Sequence, residues 1–248
     1  MITNTTHEHT MRAGLRRFGY ALLAGEIGRI WTERIREEAV GLFTPVAHDG
    51  RDAKLVRPAR NVRSLSREID ILGDSVTVKT AVRRVLAADH VAIVTYELLR
   101  IPARDGEQAP IQDAVVEGFD ADTHVCAYVA LDSLYARHGA VMVYPQAHDR
   151  ARTHRGDPAG IDPSALPASG ARHIQLHPGD VLFVHGWLPH GWTNNAGGRD
   201  LLVVRILYRG VESRPVPKPD MESPITEAPR RRGDGLGPQA RTIRVVAS

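Results

Sequence analysis

The chain has 248 residues, 42% of them apolar, and a formal charge of +3, enough apolar material for a full core in one all-β domain with helical decoration. The basic balance does not point to nucleic acid, because the cations are nearly all scattered arginines, with lysine only at Lys54, Lys79 and Lys218, and no basic stripe forms. Cys126 is the sole cysteine, which excludes an internal disulfide; no apolar run approaches membrane-spanning length, and Met1–Thr10 lacks the charged-then-apolar layout of a secretory signal, so a cytoplasmic protein without membrane contact is expected.

Residues 11–43 carry helical periodicity in Leu15, Phe18, Leu22, Ile27, Ile30, Trp31, Ile35 and Leu42, broken near Gly19 and Gly25, which predicts a short strand over Tyr20–Ala24 followed by a helix. A second amphipathic helix is expected over Thr77–Leu86, then a β-rich run from His90 to Leu99. Short apolar segments recur at Asp113–Val116, His124–Leu131, Ala140–Tyr144, His173–Leu176, Val181–Val184 and Leu201–Tyr208, separated by Gly, Pro and Asp, the pattern of successive short strands. The fold class expected is mainly β with flanking helices, a jelly roll or double-stranded β-helix of the cupin kind. Residues 150–172 are rich in Pro, Gly, Ala and Ser and read as a long functional loop, a lid. One domain over 1–213 is expected, with 214–248 a Pro/Arg-rich tail in which Arg230, Arg231 and Arg232 are a solvated run.

Two stretches carry the chemistry. Gly179 and Asp180 read as a turn that launches a strand, and His190 stands at the start of the next one. Upstream, Ile111-Gln112-Asp113 reads as strand, so that residues 111 and 113 share a face and Gln112 points away unless the strand is bulged. A facial-triad iron site needs two imidazoles and one carboxylate. Asp113 and His190 supply a carboxylate and one imidazole, and Ile111 has no lone pair to add. Arg199 or Arg205 could pair with the distal carboxylate of 2-oxoglutarate, Arg199 being the preferred candidate, and Asn194 and Asn195 are suited to the turn before them. Glu117 and His124 are weaker candidates for a replacement ligand. Tyr128, Trp187 and Trp192 read equally as packing or substrate contacts, and His148, His173, His177 and His185 as structural or exposed residues.

The segments Phe18-Gly19-Tyr20, Ala127-Tyr128-Val129-Ala130-Leu131-Asp132, Tyr144-Pro145-Gln146-Ala147-His148 and Gly179 to Asn194, in this order, resemble the phytanoyl-CoA dioxygenase family of Fe(II)- and 2-oxoglutarate-dependent oxygenases. The resemblance implies a double-stranded β-helix, iron held by Asp113 and His190, 2-oxoglutarate held by Arg199, and Tyr128 lining the pocket. Gln112 and Arg205 complete the candidate cofactor-binding set. The departure is Ile111, where the family has its first iron-binding histidine, and with it tight iron binding by Asp113 and His190 alone is not expected. The function implied is an oxygenase-like enzyme of small-molecule, secondary metabolism with a degenerate iron site. Two alternatives stand beside it: a metal-independent enzyme for cyclisation, isomerisation or elimination, with Asp113 and His190 as acid and base, or a non-catalytic ligand-binding protein. No motif fixes an oligomeric state.

Overall fold

A computed structural model describes residues 5–42, 57–60, 66–104, 108–155 and 160–211. Helix α1 (Thr5–Phe18), strand β1 (Tyr20–Leu23) and helix α2 (Arg29–Leu42) follow the expected breaks at Gly19 and Gly25. Strand β2 (Arg57–Arg60) and helix α3 (Arg67–Asp74) were not expected from the periodicity; α3 is started by the Ser66 hydroxyl, which accepts the Ile69 N–H at 3.1 Å, an N-cap signal present in the sequence. Helix α4 (Val76–Leu86) and strand β3 (Val91–Ile101) match their expected positions to within two residues.

The remaining strands are β4 (His124–Ala130), β5 (Val141–Val143), β6 (His154–Arg155), β7 (Gly160–Ile161), β8 (Arg172–Ile174), β9 (Val181–His185), β10 (His190–Trp192) and β11 (Leu201–Gly210). They form a six-stranded sheet in the order β1-β9-β4-β11-β3-β2, a three-stranded sheet β10-β5-β8, and the antiparallel pair β6-β7. The stretch Asp113–Val116 is not a strand: Asp113–Glu117 is a short helix, α5. The Gln112 carbonyl accepts the N–H groups of both Val115 and Val116 at 3.0 Å, and Gly118, in the left-handed region at φ 70°, closes the far end. Local turn bonding overrides the β preference of two adjacent valines.

Alternation on the central strands splits the core in two. Val125, Ala127 and Val129 of β4 and Leu202, Val204, Ile206 and Tyr208 of β11 face the helices, with Ile35, Ile69 and Val82. Cys126, Tyr128 and Ala130, with Leu201, Val203 and Leu207, face the smaller sheet and meet Val141, Leu188 and Trp192. The odd positions of β11 thus aim into the barrel, and Arg205 is one of them.

Gly179 and Asp180 do launch a strand, β9. Asp180 is buried and accepts the N–H groups of Gly25 and His177, each at 2.7 Å. Gly179 has φ +91°, and a Cβ there would sit 2.3 Å from the Ile27 carbonyl oxygen, so only glycine fits. The described parts of 150–172 include β6, β7 and a 3₁₀ turn (Pro163–Ala165). The Pro/Arg-rich tail expected from 214 onward lies outside the described residues. Among the described residues no helix is long and apolar enough to cross a membrane.

Candidate functional site

The two distant stretches meet inside the barrel. Ile111 and His190 form an isolated antiparallel bridge, each donating its N–H to the other's carbonyl, at 2.8 and 3.0 Å. Residues opposed in this way project side by side, so Ile111 lies beside His190 where an imidazole would have faced the same chamber. Asp113, the first residue of α5, brings its carboxylate to the same place: Asp113 Oδ2 is 3.4 Å from His190 Nε2. Both side chains are about 2% to 3% exposed.

Tyr128 stands between them. Its hydroxyl donates to Asp113 Oδ2 at 2.9 Å and lies 2.8 Å from His190 Nε2, and its ring meets those of His190 and Trp192 edge-on, at 5.6 and 5.7 Å between centroids. His190 Nδ1 is 2.8 Å from the Leu188 carbonyl; a carbonyl only accepts, so Nδ1 carries a hydrogen and Nε2 faces the phenol. Burial, then the Asp113 charge, push Tyr128 well above the usual phenol range, and it remains a hydroxyl.

Arg205 closes the arrangement from β11. One guanidinium nitrogen is 3.1 Å from Asp113 Oδ1 and also reaches Glu117, and the other donates to Glu97 at 2.8 Å. Burial alone would raise the Asp113 carboxyl, but Arg205, His190 and hydrogen bonds from Cys126 and Tyr128 overcome it and hold it at about 2. Glu117 differs because burial wins there over Arg205, with Asp113 and Glu97 adding repulsion, and its carboxyl rises to about 7. Three carboxylates share one guanidinium, and Glu117, with 26% of its side chain exposed, yields.

The sign of this shift gives a stability prediction. Because the folded state raises the Glu117 pKa, its contribution is fully present below the ordinary carboxylate range and is lost as pH rises through about 7. Glu117→Gln is therefore expected to remove a fall of about 2 kcal/mol between about pH 5 and 8. Urea melts across that range check it: the variant's curve should be flatter and should meet or exceed the parent's at the alkaline end.

The other sequence candidates lie elsewhere. Arg199 is not in the chamber: it is 61% exposed and pairs with Asp132 at 2.8 Å, which also binds Arg36 and the Leu202 N–H. It sits in the turn before β11 and follows the strand's outer rim, so the inward arginine is Arg205. Gln112 is wholly buried, but its amide bonds to Arg150, Arg152 and Trp187 and is not free for a cofactor. His124 Nδ1 is held by the Asp120 carbonyl at 2.8 Å, and its ring lies on Phe119. Asn195 fixes its turn through its side-chain amide, which donates to the Ile101 and Arg199 carbonyls, and neither Asn194 nor Asn195 takes the left-handed backbone that suits asparagine to turns. Of the histidines read as structural, His185 is mostly buried, with Nε2 3.6 Å from Asp122, and burial followed by the neighbouring His148 lowers it to about 4.

The donor set does not fit Fe(II) of the facial-triad kind. Asp113 and His190 supply two ligands, a phenol hydroxyl stands at the point where they converge, and a guanidinium already neutralises the carboxylate. Among the described residues there is no group of three His, Cys, Asp or Glu side chains able to hold a metal ion. The inward cation that 2-oxoglutarate would need is likewise engaged, by Glu97, Glu117 and Asp113.

Fold and site together define a cupin-type double-stranded β-helix with a carboxylate and an imidazole converging at its centre. The family model for phytanoyl-CoA dioxygenase matches residues 15–200, and the chain belongs to that family. Among solved structures it is similar to the non-heme alpha ketoglutarate dependent epimerase SnoN from nogalamycin biosynthesis, at 19% identity over 92% of this chain and 94% of that one, with a TM-score of 0.73. It is similar also to EvdO2 from Micromonospora carbonacea var. aurantiaca, at 17% identity over 87% and 94% with a TM-score of 0.72. The alpha ketoglutarate dependent carbocyclase SnoK from nogalamycin biosynthesis matches at 15% identity over 86% and 88%, TM-score 0.70. No curated protein matches the chain.

Proposed function

We propose that this chain is a metal-independent enzyme on the fold of the Fe(II)/2-oxoglutarate oxygenases, moving a proton on a small-molecule metabolite in an isomerisation, cyclisation or elimination. The observation that carries this reading is the Tyr128 hydroxyl, 2.9 Å from Asp113 and 2.8 Å from His190, where the family's iron would need open coordination space. Asp113 is held ionised by Arg205 and is a weak base, so its work is to anchor the phenol and to stabilise a protonated His190. The Tyr128 hydroxyl turns its single hydrogen from Asp113 to His190 Nε2 as the phenol oxygen takes the substrate's proton, and the reverse transfer returns a proton at a second position. No electrons leave the substrate and no co-substrate is consumed. Tyr128 packs in one apolar cluster with Leu99, Leu134, Trp192 and Leu201, which suits a substrate with a largely apolar body. The solved relatives support a role in secondary metabolism: SnoN has been captured with Fe3+, alpha ketoglutarate and nogalamycin RO.

The test is deuterium wash-in. The purified chain, treated with a chelator, is incubated with a metabolite extract in D2O, and products are read by mass spectrometry. Single-deuteron increments should survive chelation, vanish in His190→Ala, and slow by about 10²-fold or more in Tyr128→Phe. A strict requirement for added Fe(II) and 2-oxoglutarate would overturn the proposal and restore oxygenation.

A further inference from the structure

Gln112 has a wholly buried side chain that the proton relay does not use. Its Nε2 donates to the carbonyls of Arg150, at 2.9 Å, and Trp187, and its Oε1 accepts the Arg152 N–H at 2.7 Å. Its backbone N–H donates to His154 Nε2 at 3.0 Å, and the Nδ1–H of that ring is held by the Arg152 carbonyl at 2.9 Å. Three bonds thus tie one residue to the strap 150–154, and a fourth ties it to the turn before His190. The strap's return strand lies on the residues just upstream. Ile161 donates to the Pro110 carbonyl at 2.7 Å, and a Cβ on Gly160 would sit 2.6 Å from the Ala109 Cβ.

Both ends of the relay adjoin these bonds. Asp113 is the next residue, and the Gln112 carbonyl starts the helix that presents it. Trp187 precedes Leu188, whose carbonyl holds the His190 ring at 2.8 Å. With the relay groups at most about 3% exposed, a substrate reaches them only if some covering segment moves, and the strap is a segment bonded to the supports of both Asp113 and His190 through one side chain. A buried carboxamide losing its partners one at a time would leave donors and acceptors unpaired in turn, so lifting the strap exchanges all of these bonds for water together. We infer that Gln112 is a positioning residue that couples the seating of strap 150–154 to the alignment of Asp113 and His190, setting the relay only when the strap is down. This rests on the acid–base reading for its purpose, though not for its physical content.

Hydrogen exchange by mass spectrometry on the full chain tests it, with Gln112→Leu and the gentler Gln112→Glu. The glutamate keeps an acceptor for the Arg152 N–H and loses both donations to carbonyls. In both variants peptides from 150–155 and 160–166 should exchange about tenfold faster, while β4 and β11 keep their rates, and the imidazole ¹⁵N shifts of His190 should move. Unchanged strap exchange, acceleration spread equally over β4 and β11 in Gln112→Glu, or a loosened strap with His190 shifts unmoved would each overturn the latch. Both changes in a chain that shows no deuterium wash-in would uphold the latch and overturn the acid–base reading alone.

Discussion

Arg205→Leu should lower the melting temperature by about 10 °C, the largest loss expected of any single side chain in the barrel. Its guanidinium, 4% exposed, is shared by Asp113, Glu97 and Glu117, of which the first two are also buried. Leucine would leave these carboxylates facing one another without a cation, and removing one partner of a buried charge cluster costs about 3–5 kcal/mol. The loss has a pH signature. Asp113 is held at about 2 mainly by Arg205 against its own burial; without the arginine that burial is unopposed, its carboxyl rises, and acid neutralises the cluster. Thermal melts should therefore show a smaller deficit at about pH 5 than at about pH 8. Arg205→Lys should recover only part of the loss, because an ammonium is a point charge where the planar fork reaches two sides at once. Equal melting of parent and Arg205→Leu would mean that the carboxylates are solvated rather than clustered.

The positions of β4, β9 and β11 were legible because each is a mainly apolar run set off by nearby Gly or Asp, whereas a run buried on both faces carries no alternation to say which residues look into the barrel. The family segments placed Asp113, Tyr128 and His190 in one chamber, and the structure brings them together. What the sequence hid were side-chain directions outside regular strands. Arg199 and Arg205 are both odd-numbered relative to β11, and parity alone cannot tell that the first lies in the preceding turn, drawn off by Asp132. Asp113–Val116 read as strand because two valines outweigh a five-residue helix in any local count, whereas its cause, the Gln112 carbonyl accepting two N–H groups, is a backbone event. Gln112 itself was read as pointing away from the site. It was also counted among the cofactor contacts, and the partners that occupy its amide instead, at residues 150, 152 and 187, are too far along the chain for any spacing rule to find.

Ile111→His combined with Tyr128→Phe should bind about one Fe(II) per chain, while the parent binds less than about 0.1 under the same anaerobic loading. The bridge to His190 places the residue 111 side chain beside that imidazole, so a histidine there supplies the missing lone pair on the correct face. Asp113 Oδ2 already points to the same spot, since Arg205 engages the other oxygen. The phenol hydroxyl is the obstacle on the ligands' own side, hydrogen-bonded to both of them; phenylalanine removes it without emptying the space filled by the ring against Trp192, while Arg205 stays on the carboxylate's other oxygen. Ile111→His alone should therefore bind at least about tenfold more weakly than the pair of substitutions, because metal must displace a bridging hydroxyl from two partners. Iron analysis and calorimetry on the parent, both single variants and the double variant complete the cycle. Equal affinity of Ile111→His and the double variant would show that Tyr128 swings aside at little cost, and the role given to its hydroxyl would fall with that result.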